Sequence, residues 1–307
     1  MAVIKKTGGF FYVKDGMRCV REYTHRHSVY VKKRWIGWKL LSVFCREFKG
    51  KNESYYRHAM ECGKILVDGQ PCTEETILRQ GQLVTHEETI EEPPIPWREI
   101  HVLYEKDGLF AVDKPAGMAV HPAGRYKHNT LTEVFKKERD IDFCSVVNRL
   151  DRDVSGVVLL AATKECAAVM SEKMKRGVFR KEYLCVVDGM FPESVECVVS
   201  MCYDHQKQRA VCGGDGEGKK ESRGMFHLVE HREGRSLVRC LPVTGRTHQI
   251  RAQLEYLGYP ISNDPVYGRR GSDGEDGIFL RAVKYTDTET GDVYSTDVSL
   301  GFPPSQA

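Results

Sequence analysis

Apolar residues first recur along the chain at helical spacing. Leu40, Leu41, Phe44 and Phe48 fall on one face of residues 38–48, which predicts an amphipathic helix. A second helix is predicted over residues 55–62, with Gly63 capping its C-terminus, since glycine takes the left-handed backbone without steric cost. Ile65-Leu66-Val67 then reads as a strand turning at Asp68-Gly69. Further on, short apolar runs bounded by polar residues predict strands at 102–104, 109–112, 157–162, 183–187, 237–241 and 278–280. Helical spacing returns only around 131–137, 166–175 and 250–257. Many strands with few helices predict an α+β fold with a mostly antiparallel mixed sheet.

Proline and charge divide this pattern. Residues 87–96 (EETIEEPPIP) are acidic and proline-rich, and proline continues neither a helix nor a central strand. The division predicted is an extension over 1–28, a small α/β module over 29–87, a linker over 88–96 and a large domain over 97–307. Two stretches, 213–218 and 268–277, are glycine-rich and charged and read as exposed loops.

Composition narrows the setting. A chain of 307 residues with 41% hydrophobic content can bury a core in two domains. The formal net charge is only +3, so a nucleic-acid partner must be argued from local clusters. The 11 cysteines are scattered, which predicts reduced thiols in an intracellular compartment, and they form no Cys-x-x-Cys pair that would mark a zinc site; the setting expected is cytoplasmic, with a nuclear or mitochondrial address left open. No apolar run is long enough to span a membrane.

Three segments carry candidate chemistry. Asn148-Arg149-Leu150-Asp151-Arg152-Asp153-Val154-Ser155-Gly156 precedes an apolar strand and sets a carboxylate between two arginines. A positioned, anionic Asp151 is a candidate nucleophile; a turn with a structural salt bridge is the other reading of the same residues. Thr244-Gly245-Arg246-Thr247-His248-Gln249-Ile250-Arg251 offers short polar groups and two guanidinium forks, suited to phosphate or carboxylate. A capped helix with solvated arginines would leave that polar density unexplained. Arg180-Lys181-Glu182-Tyr183 opens a strand with a tyrosine that could stack on a base or lie in the core.

Together these segments resemble the RluA-like pseudouridine synthases. That family carries Arg-Leu-Asp before Ser-Gly and an apolar strand, then Lys-x-Tyr, then Gly-Arg-Thr-His-Gln-Ile-Arg and Gly-x-Pro-Ile, in the order found here across residues 97–286. His121-Pro122-Ala123-Gly124-Arg125-Tyr126, Asn129-Thr130 and Asn148 are similar to the eukaryotic branch acting on tRNA. Residues 37–87 resemble an S4-type RNA-binding module. Val154, Gln253 and Arg281 depart from the family's usual Thr, His and His.

The resemblance implies isomerisation of uridine to pseudouridine in RNA, in tRNA at anticodon-loop position 32, by a monomer without cofactor or metal. The uridine would flip into a pocket. Asp151 would attack or assist at the nucleoside, Tyr183 would stack on the uracil, and Leu280 would wall the base. Arg251, at a strand-to-helix junction, or else Arg246, would pair with Asp151. Arg125, Arg149, Arg152, Lys181, His248 and Gln249 would contact RNA. An inactive RNA-binding relative is the alternative, as is a synthase acting on rRNA or mRNA. Zinc deamination is disfavoured, since no His-x-Glu with a later Cys-x-x-Cys occurs.

Overall fold

The computed structural model describes residues 10–48, 50–214, 218–268, 277–298 and 300–302. Parts of both glycine-rich stretches, 215–217 and 269–276, lie outside the described residues. The chain divides into two compact units, one of them Arg21–Glu92.

This smaller unit starts and ends beyond the predicted 29–87. Strand Tyr23–Tyr30 pairs antiparallel with Leu83–Ile90 along its whole length, so residues assigned to the extension and the linker join one four-stranded sheet. The chain leaves the unit between Glu92 and Pro93, inside the proline-rich stretch. Helices Leu40–Glu47 and Glu53–Glu61 answer the two predicted ones, each slightly shifted. Asn52 caps the second by accepting the N–H of Tyr55 at 3.0 Å. Their apolar faces close over the sheet in a core of Trp35, Leu40, Phe44, Tyr56, Ile65 and Leu78.

In the larger unit a hairpin, Phe11–Lys14 with Met17–Val20, adds Ile95–Pro96 as a third strand. Its main sheet has 11 strands, nine of them on one path. Their order is Arg209–Cys212, Ser194–Asp204, Lys220–Arg232, Arg235–Pro242, Phe179–Asp188, Leu280–Asp287, Ser155–Ala161, Leu109–Lys114 and His101–Lys106. The named pairings along this path are antiparallel except one, Ser155–Ala161 beside Leu280–Asp287. The predicted run at 278–280 thus marks the start of a strand, not its body.

That one parallel pair positions the site, because parallel neighbours begin at the same end of the sheet. The loop carrying Asp151 enters Ser155–Ala161 where Leu280 opens its neighbour. The two backbones touch at Gly156, whose φ is +110°; a Cβ there would stand 2.1 Å from the carbonyl oxygen of Ala282. The Ser-Gly step is therefore a packing requirement. Asn148 ties the loop down, accepting the N–H of Leu159 at 2.6 Å and donating to the carbonyl of Val157 at 3.3 Å.

Candidate active site

Asp151 lines a cleft of about 420 Å³ with Arg149, Lys181, Tyr183, Arg246, His248, Gln249, Arg251 and Leu280. Nine of the eleven site residues expected from sequence, Asp151 among them, thus line one cleft. Its floor is a chain of charges. Arg251 is on the first turn of helix Gln249–Tyr256, not at a strand-to-helix junction, because strand Arg235–Pro242 ends before a loop over 243–248. Its side chain is 5% exposed. Nη1 donates to Asp151 Oδ2 at 2.8 Å. Nε and Nη2 grip Asp264 through both its oxygens, at 2.7 and 2.9 Å.

Asp264 is wholly buried and also accepts the N–H groups of Val266 at 2.9 Å and Tyr267 at 3.1 Å. The Tyr267 ring lies against the Arg251 guanidinium, 5.0 Å from centroid to Cζ. Burial alone would pull the Arg251 pKa down; its bonds to Asp264 and Asp151 outweigh this and raise it. The guanidinium is thus a permanent, fixed cation at Asp151.

Arg246 is not the partner of Asp151. It is exposed, its Nε donating to the carbonyl of Glu221 at 3.1 Å. Gln249, expected to touch RNA, is buried and braces the loop. It accepts from the Thr244 hydroxyl at 2.7 Å and the Arg246 N–H at 3.0 Å, and donates to the carbonyl of Arg223 at 3.0 Å. His248 Nε2 stands 3.6 Å from Asp151 Oδ2, and Nδ1 lies 3.0 Å from the Tyr267 hydroxyl.

Another side of the cleft is apolar. Tyr183 is buried, and its hydroxyl shares a 2.7 Å hydrogen bond with that of Tyr285. Burial, with Tyr285 and Asp151 nearby, lifts its pKa well above the ordinary phenol value. A register shift between Glu182 and Tyr183 interrupts the ladder just where this side chain must face the cleft. Leu280 is 3% exposed. Burial lowers the pKa of Lys181.

Two expected RNA contacts do not line the cleft. Arg152 bonds Asp153 at 2.9 Å and the Tyr126 hydroxyl at 2.9 Å, its side chain drawn towards the hairpin that pairs Ala123 with Tyr126. Arg125 is exposed in that hairpin.

Sequence reading assigned no role to Lys114, Asp264 or Tyr267. Lys114 is fully buried and donates to the carbonyls of Pro115 and Met118, each at 2.8 Å, and of Arg152 at 3.0 Å. It thereby fixes the loop just past Asp151. Burial pulls its pKa down to about 7, against the upward pull of Asp153, Asp151 and Asp113. The signal was present: a lysine closing the apolar strand Leu109–Lys114 is a cation with nowhere to go but inward.

A family model described as RNA pseudouridylate synthase matches residues 108–256. The chain is 37% identical over 260 residues to a Saccharomyces cerevisiae protein named tRNA pseudouridine(32) synthase, mitochondrial, covering 83% of this chain and 56% of that protein. It is 35% identical to RNA pseudouridine synthase 7 of Oryza sativa subsp. japonica, covering 84% of this chain and 67% of the rice protein. Among solved structures, Human RNA Pseudouridylate Synthase Domain Containing 1 shares the fold at a TM-score of 0.57 and 20% identity, over 66% of this chain and 83% of that one. The matched span runs through the loop of Asp151, the strand of Tyr183 and the helix of Arg251, and the chain belongs to the RNA pseudouridylate synthase family.

Proposed function

We propose that this chain isomerises uridine to pseudouridine in tRNA, with the uridine at anticodon-loop position 32 as its target. The observation that carries the reading is Asp151 held on the floor of the cleft by Arg251, a cation itself locked by a buried carboxylate. The choice of position 32 is supported by the printed name of the yeast relative.

In this reading the target uridine leaves the RNA stack and enters the cleft. Tyr183 stacks on the uracil and Leu280 walls its other side. Asp151 acts at the nucleoside as the bond from C1′ to N1 breaks. The uracil turns, C5 bonds to C1′, the C5 proton leaves to solvent, and N1 takes up a proton. Atoms balance without oxidant, reductant or cofactor. Arg149, Lys181 and Arg246 at the cleft, and Arg125 in its hairpin, contact phosphates. The smaller unit is proposed as an S4-like second RNA contact, working through Lys32, Lys33, Arg46 and Lys64. Five other basic residues there are already engaged: Arg26 with Glu87, Arg34 with Glu47, Lys39 with Glu75, Lys51 with Glu88, and Arg57 with Glu53 and Glu74. The protein is proposed to act as a monomer in the cytoplasm.

Tritium release from RNA labelled at C5 of uridine tests the chemistry, and mapping pseudouridine in tRNA tests the site. Release by the wild-type protein and none by a folded Asp151→Asn variant is expected. Turnover by that variant at the wild-type rate would remove Asp151 from its role.

A further inference from the structure

His248 stands beside Asp151, with Tyr267 behind it, and the proposed reaction uses neither. His248 is held in the left-handed backbone region, at φ 56°, immediately before helix Gln249–Tyr256. Non-glycine residues rarely sit there. Its ring stands edge-on to Tyr267 and to Tyr203, with centroids 5.7 and 5.6 Å away. Tyr267 is 4% exposed, and its hydroxyl has two neighbours. It accepts the backbone N–H of Ala210 at 2.5 Å and faces Nδ1 of His248 at 3.0 Å.

A phenol oxygen that accepts one N–H still has its own proton to give. The group placed to take it is Nδ1 of His248. An imidazole that accepts at Nδ1 carries its proton on Nε2 when neutral. Nε2 is the atom 3.6 Å from Asp151 Oδ2. The opposite tautomer fails at both ends: the tyrosine proton would have no acceptor, and a lone pair would face a carboxylate. We propose that Tyr267 sets the tautomer of His248 so that Nε2–H points at Asp151, making both of them positioning residues for that carboxylate. Oδ2 is then held from two sides, by Arg251 and by His248, leaving Oδ1 for the nucleoside. A small approach of the ring turns the 3.6 Å separation into a hydrogen bond, as such contacts tighten when substrate binds.

The charges facing His248 are Asp151, Arg251 and Asp264, with the Tyr267 hydroxyl on its other nitrogen. Burial lowers the pKa of His248, Asp151 and Asp264 pull it up, and Arg251 pushes it down, for a net lowering. The ring is therefore neutral at neutral pH, and its tautomer matters.

The catalytic part of this inference rests on the synthase reading; the tautomer does not. Nitrogen NMR of ¹⁵N-histidine-labelled full-length protein, assigned by loss of one signal in His248→Gln, should show Nδ1 bare and Nε2 protonated. In Tyr267→Phe the ring stays under Arg251 and only the hydroxyl is lost, so the His248 signals should move to a mixture of tautomers. Tritium release by Tyr267→Phe should fall on the order of tenfold at alkaline pH, the usual size for a group that orients another. It should recover as pH drops and His248 protonates, because imidazolium offers Nε2–H without help. KM should stay put. Adding Tyr267→Phe to His248→Gln should cost nothing further, since the amide has no tautomer to set. An Nδ1–H tautomer in the wild type overturns the proposal. So does a loss in Tyr267→Phe that is equal at every pH, which is what mere structural damage would give. Should the wild type release no tritium, the synthase reading falls while the NMR result still decides the tautomer.

Discussion

The floor and the rim of the cleft are both built from arginines, and they behave in opposite ways. Arg251 and Arg246 come from one short segment. Arg251 spends all three of its nitrogens on Asp264 and Asp151 and is nearly excluded from solvent. Arg246 is exposed and holds one backbone carbonyl, as its neighbour Gln249 anchors the loop beneath it. A guanidinium fixed by a buried carboxylate can aim another group, because it has one geometry. A guanidinium on the rim can follow a phosphate, because it has many. Burial and partner, more than residue type, separate positioning from binding.

The comparison breaks most completely at Asp151. Asp151→Asn keeps the shape and loses the carboxylate, and turnover should fall by at least about 10³-fold with RNA affinity little changed, read by single-turnover tritium release and filter binding. Arg251→Ala should come next. It leaves Asp264 buried without its cation, so stability should drop by about 3–5 kcal/mol in urea unfolding, with turnover lost alongside. Arg251→Lys should restore only part of both, since one ammonium cannot hold Asp264 by a fork and reach Asp151 as well. Gly156→Ala tests the junction beneath the floor. It should cost about 3 kcal/mol in thermal unfolding, because its Cβ would collide with the backbone of Ala282. The smallest effects belong to the exposed arginines, Arg246 on the rim and Arg125 in the hairpin outside the cleft. Arg246→Ala and Arg125→Ala should each weaken RNA binding and lower the salt slope by about 1, with turnover at saturating RNA nearly unchanged. A turnover defect as large as that of Arg251→Ala would erase the distinction between floor and rim.

What could be read from sequence follows the same division. The Asp151 loop, the Tyr183 strand and the Arg251 helix were legible, because each is a compact motif beside an apolar run. The choice between Arg251 and Arg246 was not, since it depends on Asp264, which looks like an ordinary loop residue until the fold buries it. Strand Lys220–Arg232 escaped notice because its inward positions include Ser222 and Gly224 as well as Phe226. Ser194–Asp204 hides its strand character by turning Val198 outward while burying Cys197 and Met201. Tyr23–Tyr30 alternates half-buried and exposed residues, but its inward side includes His25 and His27, so no hydrophobic alternation betrayed it, and the smaller unit was read as starting at 29, not 21. In each case partner strands, not local hydrophobicity, hold the segment in place.

The strand Leu280–Asp287 lies between Ser155–Ala161 and Phe179–Asp188, both made far earlier in the chain. The middle of the sheet can therefore fill only once residues 280–287 have been made, long after both neighbours. Until then the two older strands have an open lane between them, and the nascent chain carries Asp151 and Arg251 without the wall that Leu280 supplies. A transcript cut short before this strand would yield a protein with every charged group of the floor and no enclosed place to use them. Contacts that span so much of the sequence also form slowly, so this late-made strand sets the pace at which the cleft closes.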